Sequence, residues 1–553
     1  MLPAHPNDRP EKIGVITHGS LNQGVEMKLD EGVSIEQVVA GTFVVVQGAA
    51  FDFFAMITDV AIDAANENIL LNPPGPDDVL LRRVLQGIGT YATVSLRPML
   101  MLPNRIHPEF QTQEARPVKT VPTHFSPVAR ADAEDVARIF GSEHNDPRYF
   151  RIGEPLGMDG VGVCIDLDRL VERSNAVFGK TGTGKTFLTR LLLAGTIHTG
   201  KAVNLIFDMH SEYGLGDRQE GGGFVKGLWD LFPSKVSIFS LDPATTRKRG
   251  ITPDHDVYLY ADQIEPGDIL PLQETLQLNT TAAESSYLLQ REFEEQWLVR
   301  LLQTKGDGVK ALAEQVGANV HSVEALRRKL VRFEHYSFFK STASPSGYDV
   351  IDRLLETLAT GRSVVFEFGR YDALEVYLLV ANVITRRIRD RYEEKANTYR
   401  QTRNEADKPR HLIITIEEAH KFLSPGIAHE TPFGKIAREM RKYFVSLLVV
   451  DQRPSAIDEE VLSQIGTKIV AQLNDEKDIG AALVGTSGAS ALRQVLASLD
   501  SKQQALILGH AVPMPVVVRA RTYDEQFYRD LRGPEAARDR PFSTLRGEAE
   551  LFG

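Results

Sequence analysis

The sequence is short of cysteine, of long apolar runs and of surplus positive charge, and each shortage excludes a class of protein. Its 553 residues include a single cysteine, Cys164, so neither an internal disulfide framework nor a cysteine-based zinc site can form, and a reducing compartment suits the chain. The role left to Cys164 is packing in a short strand. No uninterrupted apolar stretch approaches the roughly 20 residues of a membrane span. The leading MLPAHPNDRPEKIG lacks the apolar centre of a signal peptide, so the expectation is a cytoplasmic protein with no membrane partner. A formal net charge of −11 argues against a broadly basic surface. Any contact with nucleic acid then has to be concentrated in a channel or at an interface.

One stretch organises the rest. Asn175 to Leu188 reads NAVFGKTGTGKTFL: a short apolar strand, a glycine-rich loop and a helix start. Within it Gly179, Lys180, Thr181, Gly182, Thr183, Gly184, Lys185 and Thr186 match G-x-x-x-x-G-K-S/T without a mismatch. The glycines let backbone N–H groups curl around a phosphate at the positive end of the following helix. Lys185 then reaches the β- and γ-phosphates and the Thr186 hydroxyl holds Mg²⁺. ATP with Mg²⁺ is the expected ligand.

The second half of the chemistry is LIITIEEAHKFL. An apolar strand delivers Glu417 and Glu418 to its C-terminal end, the edge at which parallel sheets bind ligands. Glu417 is expected on the metal side, where the usual residue is Asp, and Glu418 is expected to polarise the attacking water. Further on, VSLLVVDQRPS places Gln452 at the end of the next strand, as a sensor of the γ-phosphate. The segment PFGKIAREMRKYF carries Arg438, Arg441 and Lys442 and is expected close to the nucleotide-binding edge. Arg441 is the favoured finger for a neighbouring subunit's phosphates, because a guanidinium fork pairs with phosphate oxygens. Arg438 and a plain solvated basic face stay open as readings of the same segment.

Around these motifs the apolar runs VNLIFD, VVFEF, LIITIE, VSLLVVDQ and KIVAQL alternate with helical stretches, the pattern of a mostly parallel sheet covered on both faces. The fold class expected is therefore α/β, a RecA-like P-loop ATPase core with a helical insertion, preceded by a small N-terminal β-barrel. The division read from the pattern is a barrel over 1–120, a connector over 121–150, the first part of the core over 151–215, the helical insertion over 216–350, the second part of the core over 351–522, and a tail or arm over 523–553. Short helices are predicted over Asp77 to Gln86 and Ala133 to Phe140. Arg247, Lys248 and Arg249 form a basic cluster, either a solvated turn or a phosphate contact in a pore loop.

FGKTGTGKT, DMHSEY at 208–213, IEEAHKFL, AREMRK and VVDQRPSAIDEEVLSQIGTKIVAQL, in that order, resemble the HerA branch of the HerA/FtsK superfamily of hexameric DNA-pumping ATPases. The resemblance implies a homo-hexamer that hydrolyses ATP and translocates duplex DNA. It also implies a partner nuclease of the NurA type, or an antiphage effector, bound near the N-terminal barrel. It adds Arg173 as a second functional arginine beside Arg441, supports Glu418 and Gln452 in the nucleotide site, and leaves Asp208, His210 and Glu212 without an assigned task. Two other classes remain: a ring ATPase that moves protein or serves secretion or conjugation, and an ATP-binding scaffold for an effector.

Overall fold

The computed structural model describes residues 11–532 apart from 31, 65–74, 76, 79, 81–89, 105–114, 219–222, 487 and 501–502. The predicted helix at Asp77 to Gln86 lies largely outside the described residues.

The N-terminal part is a closed barrel. Strands β1 (Lys12–Ser20), β2 (Gly24–Leu29), β3 (Phe43–Gln47), β4 (Phe51–Ala64), β5 (Thr90–Pro103) and β7 (Pro127–Arg130) pair antiparallel in the order β2-β1-β7-β3-β4-β5, and a β2–β5 pairing closes the ring. The two-residue β6 (Arg116–Pro117) adds to β5. Strand alternation explains how the barrel attaches to the rest of the chain. Val44 and Val46 of β3 and Phe53, Ala55 and Ile57 of β4 fill the barrel. Their outward neighbours Phe43, Val45, Phe54 and Met56 join the main core instead. Helix α1 (Ala133–Phe140), opened by an Asp132–Asp135 capping box, sits at this junction with Phe140 6.1 Å from Phe43.

The main sheet has twelve strands. In chain order they are β8 (Tyr149–Pro155), β9 (Val163–Asp166), β10 (Asn175–Phe178), β11 (Val203–Asp208), β12 (Val236–Ser240), β13 (His255–Asp256), β14 (Ser363–Glu367), β15 (Leu412–Glu417), β16 (Val445–Asp451), β17 (Thr467–Ala471), β18 (Gln504–Gly509) and β19 (Val516–Ala520). Across the sheet they run β13-β12-β14-β11-β15-β16-β10-β17-β18-β19-β8-β9. The first eight are parallel and the last four attach antiparallel. Every residue of β10, β11, β14, β15, β16 and β17 is buried, as expected for strands covered on both faces. This is the α/β core behind a small barrel that the alternation of apolar runs predicts. Cys164 lies buried in β9, where burial pushes its thiol up to about 11 and keeps it inert.

Between β13 and β14 the chain is mostly helical. Helices α3 (Thr280–Phe293), α4 (Trp297–Gln303), α5 (Gly308–Val316) and α6 (Val320–Leu330) pack against one another, and Trp297 at the start of α4 is fully buried, its indole donating to the Ile264 carbonyl at 2.8 Å. The α5–α6 pair turns at Gly317, in the left-handed region at φ 69°. Arg327 of α6 is committed to the last carbonyls of α4, Leu301 and Leu302. The basic cluster at 247–249 is anchored from within: Arg247 pairs with Asp256, and Arg249 with the buried Glu367 and the Ser211 carbonyl. A pore-loop phosphate contact by Arg249 is thereby set aside.

The segment after Tyr523 also differs from the tail read from its charge. Residues Glu525–Arg532 form a helix that docks Phe527, Tyr528 and Leu531 into the main core, with Asp524 accepting from the N–H groups of Gln526 and Phe527. One apolar face within a charged stretch is enough to seat it. Among the described residues no helix is long and apolar enough to cross a membrane.

Candidate nucleotide-binding site

The site forms where the middle of the parallel sheet ends. β10 lies between β16 and β17, so the loop that leaves it is flanked by the loops of both neighbours. Gly179 N–H donates to the Asp451 carbonyl and Lys180 N–H to that of Gln472. Gly182 at φ 82° and Gly184 at φ 91° take the left-handed conformation that the curl requires. A Cβ on Gly179 would stand 2.7 Å from the Thr183 hydroxyl. Helix α2 (Lys185–Thr199) starts directly behind, with Gly184 as its N-cap and no side-chain cap. Its first-turn N–H groups therefore point into the loop without a side-chain acceptor, ready for an anion.

Lys185 is half-buried at this mouth. Burial pulls its ammonium below its ordinary value, and Glu418, Asp451, Glu417 and Glu212 oppose that shift. The Thr186 hydroxyl donates to Glu212 Oε2 at 2.8 Å. Asp208, the last residue of β11, holds that carboxylate in place by accepting from the N–H groups of Glu212, Tyr213 and Gly214.

Glu417, the last residue of β15, and Glu418, the residue after it, part ways. Glu417 is 8 % exposed and accepts from the buried Tyr213 hydroxyl at 2.8 Å through Oε1, while its Oε2 has no hydrogen-bond partner among the described residues. Burial, with Asp208 nearby, pushes its carboxyl up to about 8. Glu418 turns the other way through a left-handed backbone at φ 47°, which for a residue with a Cβ costs roughly 1–3 kcal/mol. Its Oε1 accepts from the Gln452 amide at 3.1 Å, and Gln452 Oε1 in turn accepts from the Thr181 hydroxyl at 2.7 Å. Gln452 thus connects the phosphate loop to Glu418. His420 stands behind, its N–H and Nδ1 on Asp451 Oδ2 at 2.8 and 2.9 Å and its ring 3.7 Å from Glu418. The hydrogen bond to Asp451 raises the imidazole above its ordinary value.

Sequence reasoning missed the task of Glu212, although DMHSEY was visible at the C-terminal end of a strand. Nothing local to Thr186 announces a partner 26 residues on. It also missed Tyr213 and His420.

The two arginines are placed at the far edge of the sheet, which corrects the expectation for AREMRK. Arg173 precedes β10 and Arg441 precedes β16, at the strands' amino ends. Seven residues of β16 separate Arg441 from the loop containing Gln452, a span of roughly 20 Å at the rise of an extended strand. A helix that leads into a parallel strand must carry the chain back to that strand's start, and the short helix Pro432–Glu439 does so. Arg441 is largely exposed, 3.5 Å from Glu172, which also accepts from His510 at 3.0 Å. Arg173 packs across Gly466, where a Cβ would meet its own at 2.6 Å. Neither arginine belongs to the nucleotide site of its own chain.

Mg²⁺ is implied by the P-loop, and the residues fit it. The Thr186–Glu212 pair and the orphaned Glu417 oxygen are the hard oxygen donors that this ion selects. No group of three or more His, Cys, Asp or Glu among the described residues could hold a metal unaided, in keeping with an ion held by one or two protein groups and by phosphates.

Residues 150–388 match the family model described as "Helicase HerA, central domain". Over 505 residues, covering 88% of this chain and 90% of the relative, the sequence is 23% identical to the DNA double-strand break repair helicase HerA of Sulfolobus acidocaldarius. Over 423 residues, covering 72% of this chain and 73% of the relative, it is 24% identical to the protein of the same description from Pyrococcus furiosus. Among solved structures, VirB4 of Thermoanaerobacter pseudethanolicus aligns with 68% of this chain and 97% of its own, at 15% identity and a TM-score of 0.41.

Proposed function

We propose that the chain is a HerA-type ATP hydrolase, a reading supported by its similarity to the HerA central-domain model and to the HerA helicases, and that six copies form a ring that hydrolyses ATP to translocate duplex DNA. The observation that carries the proposal is the Thr181–Gln452–Glu418 chain of hydrogen bonds. It ties the loop that holds the phosphates to the carboxylate that polarises water, so that loss of the γ-phosphate is felt at both ends.

In this reading the N–H groups of Gly182 to Thr186 cradle the phosphates of ATP and Lys185 offsets the charge on the β- and γ-phosphates. Thr186, Glu212 and Glu417 are the residues that would hold Mg²⁺, which when bound supplies Lewis-acid neutralisation of phosphate oxygens. Glu418 orients a water for in-line attack and accepts its proton, and Gln452 fixes the angle of that carboxylate. Arg441 and Arg173, turned away from their own nucleotide, are available to the site of an adjacent subunit, where a guanidinium stabilises charge in the transition state. Backbone contacts to DNA in the ring need no sequence reading. The barrel is the proposed seat of a nuclease of the NurA type or of another effector, and a DNA substrate places the motor in the cytoplasm.

ATP turnover by the purified protein, with and without linear duplex DNA, tests the proposal beside Lys185→Ala and Glu418→Gln. Stimulation by DNA that both substitutions abolish is the expected result. Robust turnover indifferent to DNA would redirect the motor to a protein substrate, and absence of turnover would leave a nucleotide-binding scaffold.

A further inference from the structure

Beside the phosphate loop lies a cavity of about 360 Å³, near the lower end of the roughly 300–1,000 Å³ typical of small-molecule sites. Its floor is Thr183 and Gly184, and its walls include Phe187, Leu191, Val225 and Tyr523. We infer that this cavity takes the nucleobase of the bound triphosphate, and that it accepts adenine and guanine with little preference. The inference rests on the nucleotide reading of the P-loop and extends it to the part of the ligand that the motif does not touch.

Position is the first argument. The cavity opens from the same Gly184 that caps α2, so a nucleotide whose phosphates lie in the loop has its sugar and base within reach of it. Wall chemistry is the second. The rings of Phe187 and Tyr523 lie 6.2 Å apart, and the Arg190 guanidinium stands 5.7 Å from the centre of each, holding the wall together. Arg190 also donates to the Glu212 carbonyl, which links the base cavity to the carboxylate on Thr186. Apolar and aromatic walls of this kind suit a flat base.

The prediction of tolerance comes from the polar groups. Adenine and guanine differ at the six-position, an amino donor in one and a carbonyl acceptor in the other, and telling them apart needs a fixed donor or acceptor. The Tyr523 hydroxyl is buried without a hydrogen-bond partner among the described residues, and because a hydroxyl both donates and accepts it can meet either purine; apart from it and Gln503, the polar side chains around the cavity are already committed. Gln504 exchanges two hydrogen bonds with Asp500, and Thr522 donates to Asp524, which caps the helix Glu525–Arg532. Arg521 pairs with Glu143 and Asp530, and Thr183 donates to the Lys180 carbonyl. The N–H groups of Ala520 and Arg521 are spent on the carbonyls of Gln503 and Ile152. Gln503 is exposed and its side chain makes no hydrogen bond among the described residues. Its amide offers both a donor and an acceptor, so it can turn to satisfy either purine.

Titration calorimetry on the full chain with MgATP, MgGTP and inorganic tripolyphosphate tests this in the wild type, in Val225→Trp, which fills the cavity, and in Phe187→Ala, which removes one wall. ATP is expected to bind at least tenfold more tightly than tripolyphosphate, with GTP within tenfold of ATP. Val225→Trp is expected to weaken ATP by tenfold or more and to leave tripolyphosphate unchanged, with Phe187→Ala acting in the same direction by a smaller factor. A preference above tenfold between ATP and GTP overturns the tolerance. Equal binding of ATP and tripolyphosphate, or variants that weaken both alike, overturns the subsite while the P-loop reading stands. Failure of all three ligands to bind the wild type overturns the nucleotide reading itself.

Discussion

Gln452 stands between Thr181 and Glu418, and a double-mutant cycle measures what that link contributes to turnover. Thr181→Val keeps the shape of the side chain and deletes the hydroxyl that donates to Gln452 at 2.7 Å. A neutral hydrogen bond contributes about 1 kcal/mol, and because Thr181 is exposed, water can take part of its place. The expected fall in kcat is about twofold to fivefold. Gln452→Ala removes the 3.1 Å bond to the Glu418 carboxylate, a bond to a charged acceptor worth about 1.5–3 kcal/mol, so kcat should fall by about tenfold to a hundredfold. If Thr181 acts only by holding Gln452, the double variant is no slower than Gln452→Ala alone, and the coupling energy equals the whole effect of Thr181→Val. The assay is steady-state ATP turnover at saturating ATP and linear duplex DNA, with nucleotide affinity measured separately. Effects that simply multiply would refute the argument, because Thr181 and Gln452 would then act independently.

Three other outcomes follow from the same geometry. Burial raises Glu417 to about 8, so in the folded, nucleotide-free protein it holds its proton at pH values where the unfolded chain has lost it. Its contribution to stability is therefore complete below about 4.5 and is lost as pH rises towards 8; Glu417→Gln, which keeps an acceptor for Tyr213, should flatten the fall in Tm between pH 6 and 8.5, and an unchanged slope would count against the assignment. If Arg441 serves a neighbouring site, mixing Arg441→Ala with Lys185→Ala subunits should restore turnover that neither shows alone, at roughly a quarter of the interfaces in an equal random mixture; no recovery would argue for a role within one chain. Trp297→Ala, which removes a fully buried side chain at the start of α4 and orphans the Ile264 carbonyl, should destabilise by about 3–5 kcal/mol in denaturant unfolding, and a loss below 1 kcal/mol would show that the helices do not depend on it.

What the sequence determined by itself was whatever is written in consecutive residues. The loop from Gly179 to Thr186 is legible because its glycines, lysine and threonine act through backbone conformation and reach over eight positions. Apolar runs such as VNLIFD and LIITIE announce strands buried on both faces. The short helix over Ala133 to Phe140 is legible for the same reason, since its capping box is local.

Only the tertiary structure decided which strands became neighbours. Buried parallel strands all look alike in sequence, so nothing in β10 says that it will lie between β16 and β17. That order alone brings Gln452 to Thr181, 271 residues earlier, and it decides which face of the sheet's edge each acidic residue meets. It turns Glu417 towards Tyr213 and leaves Glu212 to meet Thr186. It also sends Arg441 to the opposite edge, because a helix leading into a parallel strand must return to where that strand begins. Local patterns specify backbone conformation and burial; the hydrogen bonds that join distant loops depend on strand order, which is settled by packing of the whole core.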